Sequence, residues 1–188
     1  KLQGKEKEID VDSYAKSVAD FLAKEENRTG KKLTEEETET PDLCTLVVVN
    51  TVERAIAIHK AIKKVDPFKE NQNNVLLLHS RFRSHERKKW PTLIKAFEKG
   101  AFENRASIGD YKVDGARLII ATQVIEAGID LSVPILYTER CPMASLIQRI
   151  GRCARRPGEF GKVYILPMKP SDNTAKPYDR EEMEAWQP

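Results

Sequence analysis

Five short apolar runs constrain the fold of this chain more than any other feature of its sequence. They are rich in leucine or β-branched residues and do not alternate apolar with polar residues. Their positions are 45–50, 75–80, 117–122, 134–139 and 162–167. Runs of this kind are typical of strands that are covered on both faces. Segments with apolar residues at helical spacing lie between them, at 51–65, 84–100 and 144–153. The alternation of strand and helix predicts an α/β domain with a mostly parallel central sheet flanked by helices.

Two arms flank this pattern. Within residues 1–42, apolar residues at helical spacing lie in 11–26, for which Asp12 or Ser13 is the expected cap, and a polar stretch follows at 27–42. They predict an amphipathic helix and a flexible linker before the α/β domain, which occupies 43–167. Residues 168–188 predict a linker and a short helix towards an absent C-terminal region. Because the chain begins with Lys1 and not with Met, we expect it to be a fragment or a cleaved product.

Charge is distributed unevenly along the chain. The formal net charge is +3, but residues 43–167 carry 21 basic and 12 acidic residues and both arms are net acidic. A basic body between acidic arms suits a polyanionic partner.

The three cysteines are far apart, which favours a reducing compartment over a disulfide or zinc framework. We find no apolar run of about 18 residues and no signal peptide, so we expect a soluble, cytoplasmic protein without a membrane partner.

Polar residues follow most of the predicted strands directly. Ligands of parallel α/β folds bind at the carboxyl ends of the strands. The residues at those ends are therefore candidates for binding, and they are Asn50-Thr51, His79-Ser80-Arg81, Thr122-Gln123 and Glu139-Arg140.

The stretch SLIQRIGRCARRPG, residues 145–158, gathers arginines with no acidic residue among them. If a helix continues through it, Gln148, Arg149, Arg152 and Arg155 cover an arc of roughly 120°. Gly151 permits a close backbone approach, and Pro157-Gly158 would end the helix. Several guanidinium groups on one arc suit a nucleoside triphosphate. A solvated basic helix face is the alternative for any single arginine of the set.

A second stretch, ATQVIEAGIDLS, occupies residues 121–132. The hydroxyl of Thr122 at the end of a buried strand could cap the following turn or bind a phosphate. Gly128 permits a tight approach, and Asp130 could accept from a ribose hydroxyl or fix a neighbouring arginine. An ordinary strand, turn and helix is the alternative.

Taken together, the two stretches resemble motifs V and VI of superfamily 2 helicases, which lie in the second RecA-like domain of the motor. With VVVNTVERA and LLLHSRFRSHER before them, residues 43–167 resemble the CRISPR-associated helicase–nuclease of type I systems. That resemblance implies an ATP-driven motor that moves 3′ to 5′ along single-stranded DNA and feeds an HD-type nuclease domain or subunit. It also implies recruitment by the CRISPR surveillance complex and a role in antiviral defence.

The resemblance further implies roles for single residues. Arg152 and Arg155 would face the γ-phosphate of ATP, while Gln148 and Arg149 would link the nucleotide to domain closure. Gly128 and Asp130 would lie near the nucleotide. The residues implied at the DNA backbone are Asn50, Thr51, His79, Ser80, Arg81, Thr122 and Gln123. Arg156 has no fixed role in the pattern and is interpreted as surface charge or a DNA contact.

Several elements of a complete motor are missing from the sequence. It contains no G-x-x-x-x-G-K-[ST] and no D-E-x-x after an apolar run. We therefore expect ATP and Mg²⁺ to be held mainly by a first RecA-like domain outside this chain, and the isolated chain to be inactive. His59, His79 and His85 form no His-Asp pair, so the nuclease metal ions would also lie elsewhere. Another superfamily 2 DNA or RNA helicase, or a non-catalytic nucleic-acid-binding remnant of one, stays open as an alternative.

Overall fold

A computed structural model describes residues 10–24, 44–99, 115–166 and 178 of the chain. Five strands are β1 Cys44–Val48, β2 Val75–Leu78, β3 Arg117–Ala121, β4 Ile135–Thr138 and β5 Lys162–Ile165. Five α-helices are α1 Val11–Ala23, α2 Val52–Ile62, α3 Ser84–Arg87, α4 Trp90–Lys99 and α5 Met143–Ile150. Short 3-10 helices span Gln72–Asn74 and Gln123–Ile125. Each of the five apolar runs overlaps one strand, as the sequence predicted.

The five strands form one sheet in the order β2-β3-β1-β4-β5, and all neighbouring pairs are parallel. This confirms the predicted α/β class with a parallel central sheet. Val48, the last residue of β1, pairs with Ala121 on one side and Thr138 on the other. The carboxyl ends of the three central strands are therefore level, and the polar residues that follow them meet at one edge of the sheet.

Helices cover both faces of the central strands. Val47 and Ile120 face a cluster that includes side chains of α1 and α2, whereas Val48 and Ile119 face a second cluster that includes α4. Strand β5 departs from the prediction, because Lys162 and Val163 at its start are exposed. It is one of the two edge strands of the described sheet and, unlike the other edge strand β2, is exposed at its start.

Helix α1 belongs to the same core as the sheet. Tyr14, Val18 and Leu22 are fully buried in the cluster shared with α2. Its cap differs from the predicted Asp12 or Ser13: the Asp10 carboxylate accepts hydrogen bonds from the backbone N–H groups of both residues at 2.9 Å. The N–H groups of the first turn of a helix have no partner within the helix and need an acceptor that precedes them. The Asp10 carboxylate is that acceptor for α1. The predicted linker after α1 and nearly all of 168–188 lie outside the described residues, so the domain boundaries stay predictions.

His59 predicts a pH dependence of folding. It is half-buried on α2, and burial, with the nearby Lys63 charge, lowers its pKa from 6.5 to about 4. A base with a lowered folded pKa favours folding only while it is neutral, so stability is present above pH 6.5 and is lost as the pH falls towards 4. We expect the free energy of unfolding to fall by about 2 kcal/mol from His59 between about pH 7 and pH 5. Urea titrations at both pH values measure it.

His59→Gln should remove this part of the pH dependence. His79, whose pKa burial also lowers, would leave a smaller slope of the same sign. The matched control is His85→Gln on α3, since His85 is exposed and its loss should leave the slope unchanged. A His59→Gln protein with the full original slope would contradict the prediction.

Candidate functional site

Asn50 lies at the centre of the carboxyl edge of the sheet and connects three strand ends. Its side-chain Nδ2 donates to the carbonyl oxygen of Arg140 at 2.7 Å, after β4. Its own carbonyl oxygen accepts from Gln123 Nε2 at 2.6 Å, after β3. Its backbone N–H donates to Glu139 Oε2 at 2.7 Å. The residue is buried, so its polar groups face the protein rather than the surface.

Arg149 on α5 is completely buried. Its Nε donates to Glu126 Oε1 at 2.9 Å and its Nη1 to Thr138 Oγ1 at 2.8 Å. Its Nη2 donates to Asn50 Oδ1 at 3.0 Å and to the hydroxyl of Tyr178, also at 3.0 Å. The guanidinium is thus spread over partners from four parts of the chain. It ties α5 to the strand ends.

The helix that carries this arginine is shorter than the arc argument required. It ends at Ile150 with Gly151 as its C-cap, not at Pro157-Gly158. Arg152 and Arg155 therefore lie in the segment beyond the helix, and a helical arc does not describe their directions. Glycine has a low helix propensity because it lacks a Cβ, and Gly151 therefore accounts for the early end of the helix.

Arg152 faces the turn that follows β3. It is buried, and its Nε and Nη2 donate to the carbonyl oxygens of Ile125 and Glu126, each at 2.8 Å. Gly128 in the same turn is exposed and has a φ of +74°, a left-handed conformation that favours glycine. Thr122 occupies the N-cap position of this turn, but its side chain makes no capping hydrogen bond, so that prediction was wrong. Thr122 is buried as well.

Arg155 differs from the other two, because its guanidinium is accessible. Its side chain is 44% exposed, and Nη1 lies 3.7 Å from Asp130 Oδ1, whose side chain is 72% exposed. Its backbone is fixed: the N–H donates to Ser132 Oγ at 2.9 Å. The structure therefore brings Arg155 beside Asp130 on an exposed surface, with the arginine on a tethered backbone and a weak counter-charge beside it, and Gly128 is exposed two residues before Asp130.

Arg156 anchors the segment that bears Arg155. Its Nη2 donates to Glu98 Oε1 of α4 at 3.0 Å and its Nη1 to Glu159 Oε1 at 3.3 Å. These carboxylates raise the pKa of Arg156. Glu98 Oε1 also accepts from the backbone N–H of Ser132 at 2.5 Å. Arg156 is thus an exposed surface charge that is paired with two carboxylates.

The candidate nucleic-acid contacts after β2 fall into exposed and buried groups. Ser80 and Arg81 are exposed, and Arg81 forms an ion pair with Glu53 of α2. His79 is buried, stacks on Phe82, and accepts from the backbone N–H of Arg81 through Nδ1 at 3.2 Å. Thr51 is half-buried and caps α2 by accepting from the N–H of Arg54 at 3.3 Å. Gln148 is exposed on α5.

Glu139, one of the strand-end candidates, binds Asn50. Two further acidic residues of the site were not singled out from the sequence: Glu126 binds Arg149, and Glu98 binds Arg156. Each is an acidic residue inside or next to an otherwise apolar element, and a buried or half-buried carboxylate needs a partner. That pattern could have marked them as paired residues. It could not have identified their partners.

Two negative observations apply to the described ranges. Within 10–24, 44–99, 115–166 and 178, no group of three or more His, Cys, Asp or Glu side chains is placed to hold a metal ion. In the same part of the chain, no helix has the length and apolar character needed to cross a membrane.

The parallel five-stranded sheet with helices on both faces, and polar strand ends that meet at one edge, defines an α/β domain of the RecA-like class. The family model described as CRISPR-associated nuclease/helicase Cas3, C-terminal, matches residues 41–158. The chain belongs to this family and is the C-terminal helicase domain of a Cas3-type protein.

Individual relatives agree with the family match. A putative CRISPR-associated nuclease/helicase Cas3 of Methanocaldococcus jannaschii is 33% identical over 124 residues, which are 64% of this chain and 15% of the relative. The CRISPR-associated helicase Cas3 of Thermoproteus tenax is 33% identical over 122 residues, 64% of this chain and 18% of the relative. The chain thus spans less than a fifth of these curated relatives.

Solved structures show the same fold. The crystal structure of T. fusca Cas3-ADP superposes with a TM-score of 0.52 at 26% identity, covering 77% of this chain and 16% of that one. The crystal structure of a CRISPR-associated protein gives a TM-score of 0.60 over 90% of this chain and 18% of that one, at 22% identity. The second likeness supports the fold alone.

Proposed function

We propose that this chain is the C-terminal motor domain of an ATP-dependent translocase or helicase on single-stranded DNA, acting with an HD-type nuclease in type I CRISPR interference. The observation that carries the proposal is Arg155, an exposed guanidinium on a tethered segment beside Asp130. Membership of the Cas3 family supports the same reading. The first RecA-like domain, the nuclease and the CRISPR surveillance complex are the proposed partners.

Arg155 is proposed as the arginine that acts on ATP. An arginine finger needs an accessible guanidinium, a fixed backbone and no strong internal partner. The hydrogen bond to Ser132 fixes the backbone, and the pair with Asp130 at 3.7 Å joins two exposed groups. Exposed pairs of this kind contribute only about 0–1 kcal/mol, so a triphosphate would compete with Asp130 easily. Gln148, exposed on α5, is proposed to line the same interface.

Arg149 and Arg152 are proposed to be positioning residues that do not touch ATP themselves. Arg149 is fully buried and bonded to Glu126, and Arg152 donates to two carbonyl oxygens of the turn after β3. Together they fix α5 and that turn relative to each other. This differs from the sequence-based expectation, which placed Arg152 at the γ-phosphate and Arg149 between nucleotide and domain closure. Both would set the direction of Arg155 instead.

The DNA-facing surface is proposed to be narrower than the sequence suggested, with Ser80 and Arg81 as its contacts. The buried residues Asn50, His79 and Thr122 would hold this edge of the sheet in place, as would Thr51 and Gln123 through their internal hydrogen bonds. The exposed cations of α3 and the turn after it extend the basic surface beside Arg81, and they are Arg87, Lys88 and Lys89. Binding that relies on such charges releases counterions and weakens as salt rises.

ATP and Mg²⁺ are proposed to be held mainly by the first motor domain. The residues of this chain fit that division: they offer a cation for the triphosphate, and the sequence lacks the G-x-x-x-x-G-K-[ST] cradle. Arg155 would stabilise the charge on the phosphoryl group in the transition state. Closure and opening of the cleft between the two domains would follow the binding and loss of that charge.

The test of this proposal is translocation by the full-length protein that contains this chain. With ATP, it should displace streptavidin from the 5′ end of biotinylated single-stranded DNA, as 3′ to 5′ movement requires, and release phosphate at a rate that DNA stimulates. The 188-residue chain by itself should release none. DNA-independent phosphate release, or none at all, in the full-length protein would contradict the proposal.

A further inference from the structure

The hydroxyl of Tyr14 is a buried polar group whose partner lies far away in the sequence. It donates to Glu139 Oε1 at 2.7 Å, across 125 residues of chain. The ring packs in the cluster between α1 and the sheet, and burial together with the Glu139 charge raises the pKa of the phenol. The ring alone would fill the core, so the hydroxyl has a separate reason to be there.

Three hydrogen-bond donors hold the carboxylate of Glu139. Oε1 accepts from Tyr14, while Oε2 accepts from the backbone N–H of Asn50 at 2.7 Å and from Arg54 Nη1 at 2.6 Å. The Glu139 side chain is 2% exposed. A buried carboxylate with all its donors present has one orientation, because each lost donor leaves part of its charge uncompensated. Helix α1, helix α2 and the end of β1 therefore meet at one rigid point.

Asn50 connects Glu139 to the candidate site. Its N–H is bound by Glu139, its Oδ1 accepts from Arg149, and its carbonyl oxygen accepts from Gln123. A shift of Glu139 would move Asn50, and through Arg149 it would move α5, which leads directly to the segment of Arg155. The chain of contacts from Tyr14 to α5 consists of three hydrogen bonds.

We propose that Tyr14 is a positioning residue for the motor, which sets the alignment of α5 and the Arg155 segment through Glu139 and Asn50. Helix α1 thereby has a role in turnover besides its packing. The proposal rests on the proposed function for its kinetic consequence, but the network itself can be tested without activity. Tyr14 touches neither ATP nor DNA in this scheme.

The test is Tyr14→Phe in the full-length protein, which keeps the ring and removes the hydroxyl. Misplacement of a catalytic group by about 1 Å can cost about 10²-fold in rate, so a smaller shift should cost less. We expect kcat for DNA-stimulated ATP hydrolysis to fall about tenfold, with KM for ATP changed less than about twofold. A purely structural tyrosine would lower the melting temperature and leave kcat unchanged well below it.

Leu22→Ala is the matched control, because Leu22 is fully buried on the same helix but carries no polar group to the network. It should lower the melting temperature at least as much as Tyr14→Phe and leave kcat within about twofold below the transition. Equal kcat losses in the two variants, or a normal kcat in Tyr14→Phe, would overturn the proposal.

Hydrogen exchange supplies a readout that does not depend on activity. In Tyr14→Phe, exchange at the Asn50 amide and along α5 should accelerate, while amides of α1 such as that of Val18 stay protected. Unchanged protection at Asn50 would also overturn the proposal. If the parent protein hydrolyses no ATP, the proposed function fails, and the exchange result still decides whether Tyr14 orders the site.

Discussion

Arg155→Ala should lower kcat for DNA-stimulated ATP hydrolysis by about 10³-fold or more in the full-length protein, as the loss of an arginine finger does in other motors. The reason is electrostatic. The guanidinium would neutralise charge that develops on the phosphoryl group, and no other exposed guanidinium of residues 151–156 is free to replace it, since Arg156 is paired with Glu98 and Glu159. Phosphate release at saturating ATP and DNA measures the effect.

The same substitution should leave folding and DNA binding nearly intact. The substitution removes only a weak, exposed ion pair with Asp130, so the free energy of unfolding should change by about 0.5 kcal/mol or less. The charge-matched control is Lys60→Ala, since Lys60 is exposed near the end of α2, away from the carboxyl edge of the sheet. Near-normal turnover in Arg155→Ala, or an equal loss in Lys60→Ala, would refute the assignment.

Arg149→Ala should act in the opposite way and destabilise the domain by about 3–5 kcal/mol, the usual cost of breaking a buried ion pair. Alanine would leave Glu126 without its cation and Asn50 Oδ1 without its donor, and it would open a cavity under α5. Urea unfolding of the 188-residue chain, followed by circular dichroism, should show a lower midpoint. If this exceeds the total stability, the chain will not fold.

Gln148→Ala is the control for that loss. Gln148 precedes Arg149 on the same helix but is exposed, so its removal should change the free energy of unfolding by about 0.5 kcal/mol or less. A small effect of Arg149→Ala, comparable with that of Gln148→Ala, would show that the buried network contributes little to stability. The positioning role proposed for Arg149 would then have no support.

Hydrophobic patterning was enough to predict the strands and the class of the fold. The runs at 45–50, 75–80, 117–122 and 134–139 each overlap a strand that is largely or completely buried, because burial on both faces demands continuous apolar sequence. The fifth run also forms a strand, but its start at Lys162 is exposed, whereas β2 at the other edge of the sheet is largely buried. Whether an edge strand is covered depends on the elements packed against it, and a single run does not encode those elements.

The sequence by itself determined that polar residues would follow the strands and that arginines would gather within residues 145–158. Only the tertiary structure decided what each arginine does. Arg149 is buried against Glu126, Arg152 is bonded to the turn after β3, and Arg155 is accessible, although the three have the same chemistry and lie within seven residues. The physical reason is that burial and pairing depend on partners brought together by the fold, such as Tyr14 and Glu139 across 125 residues of chain.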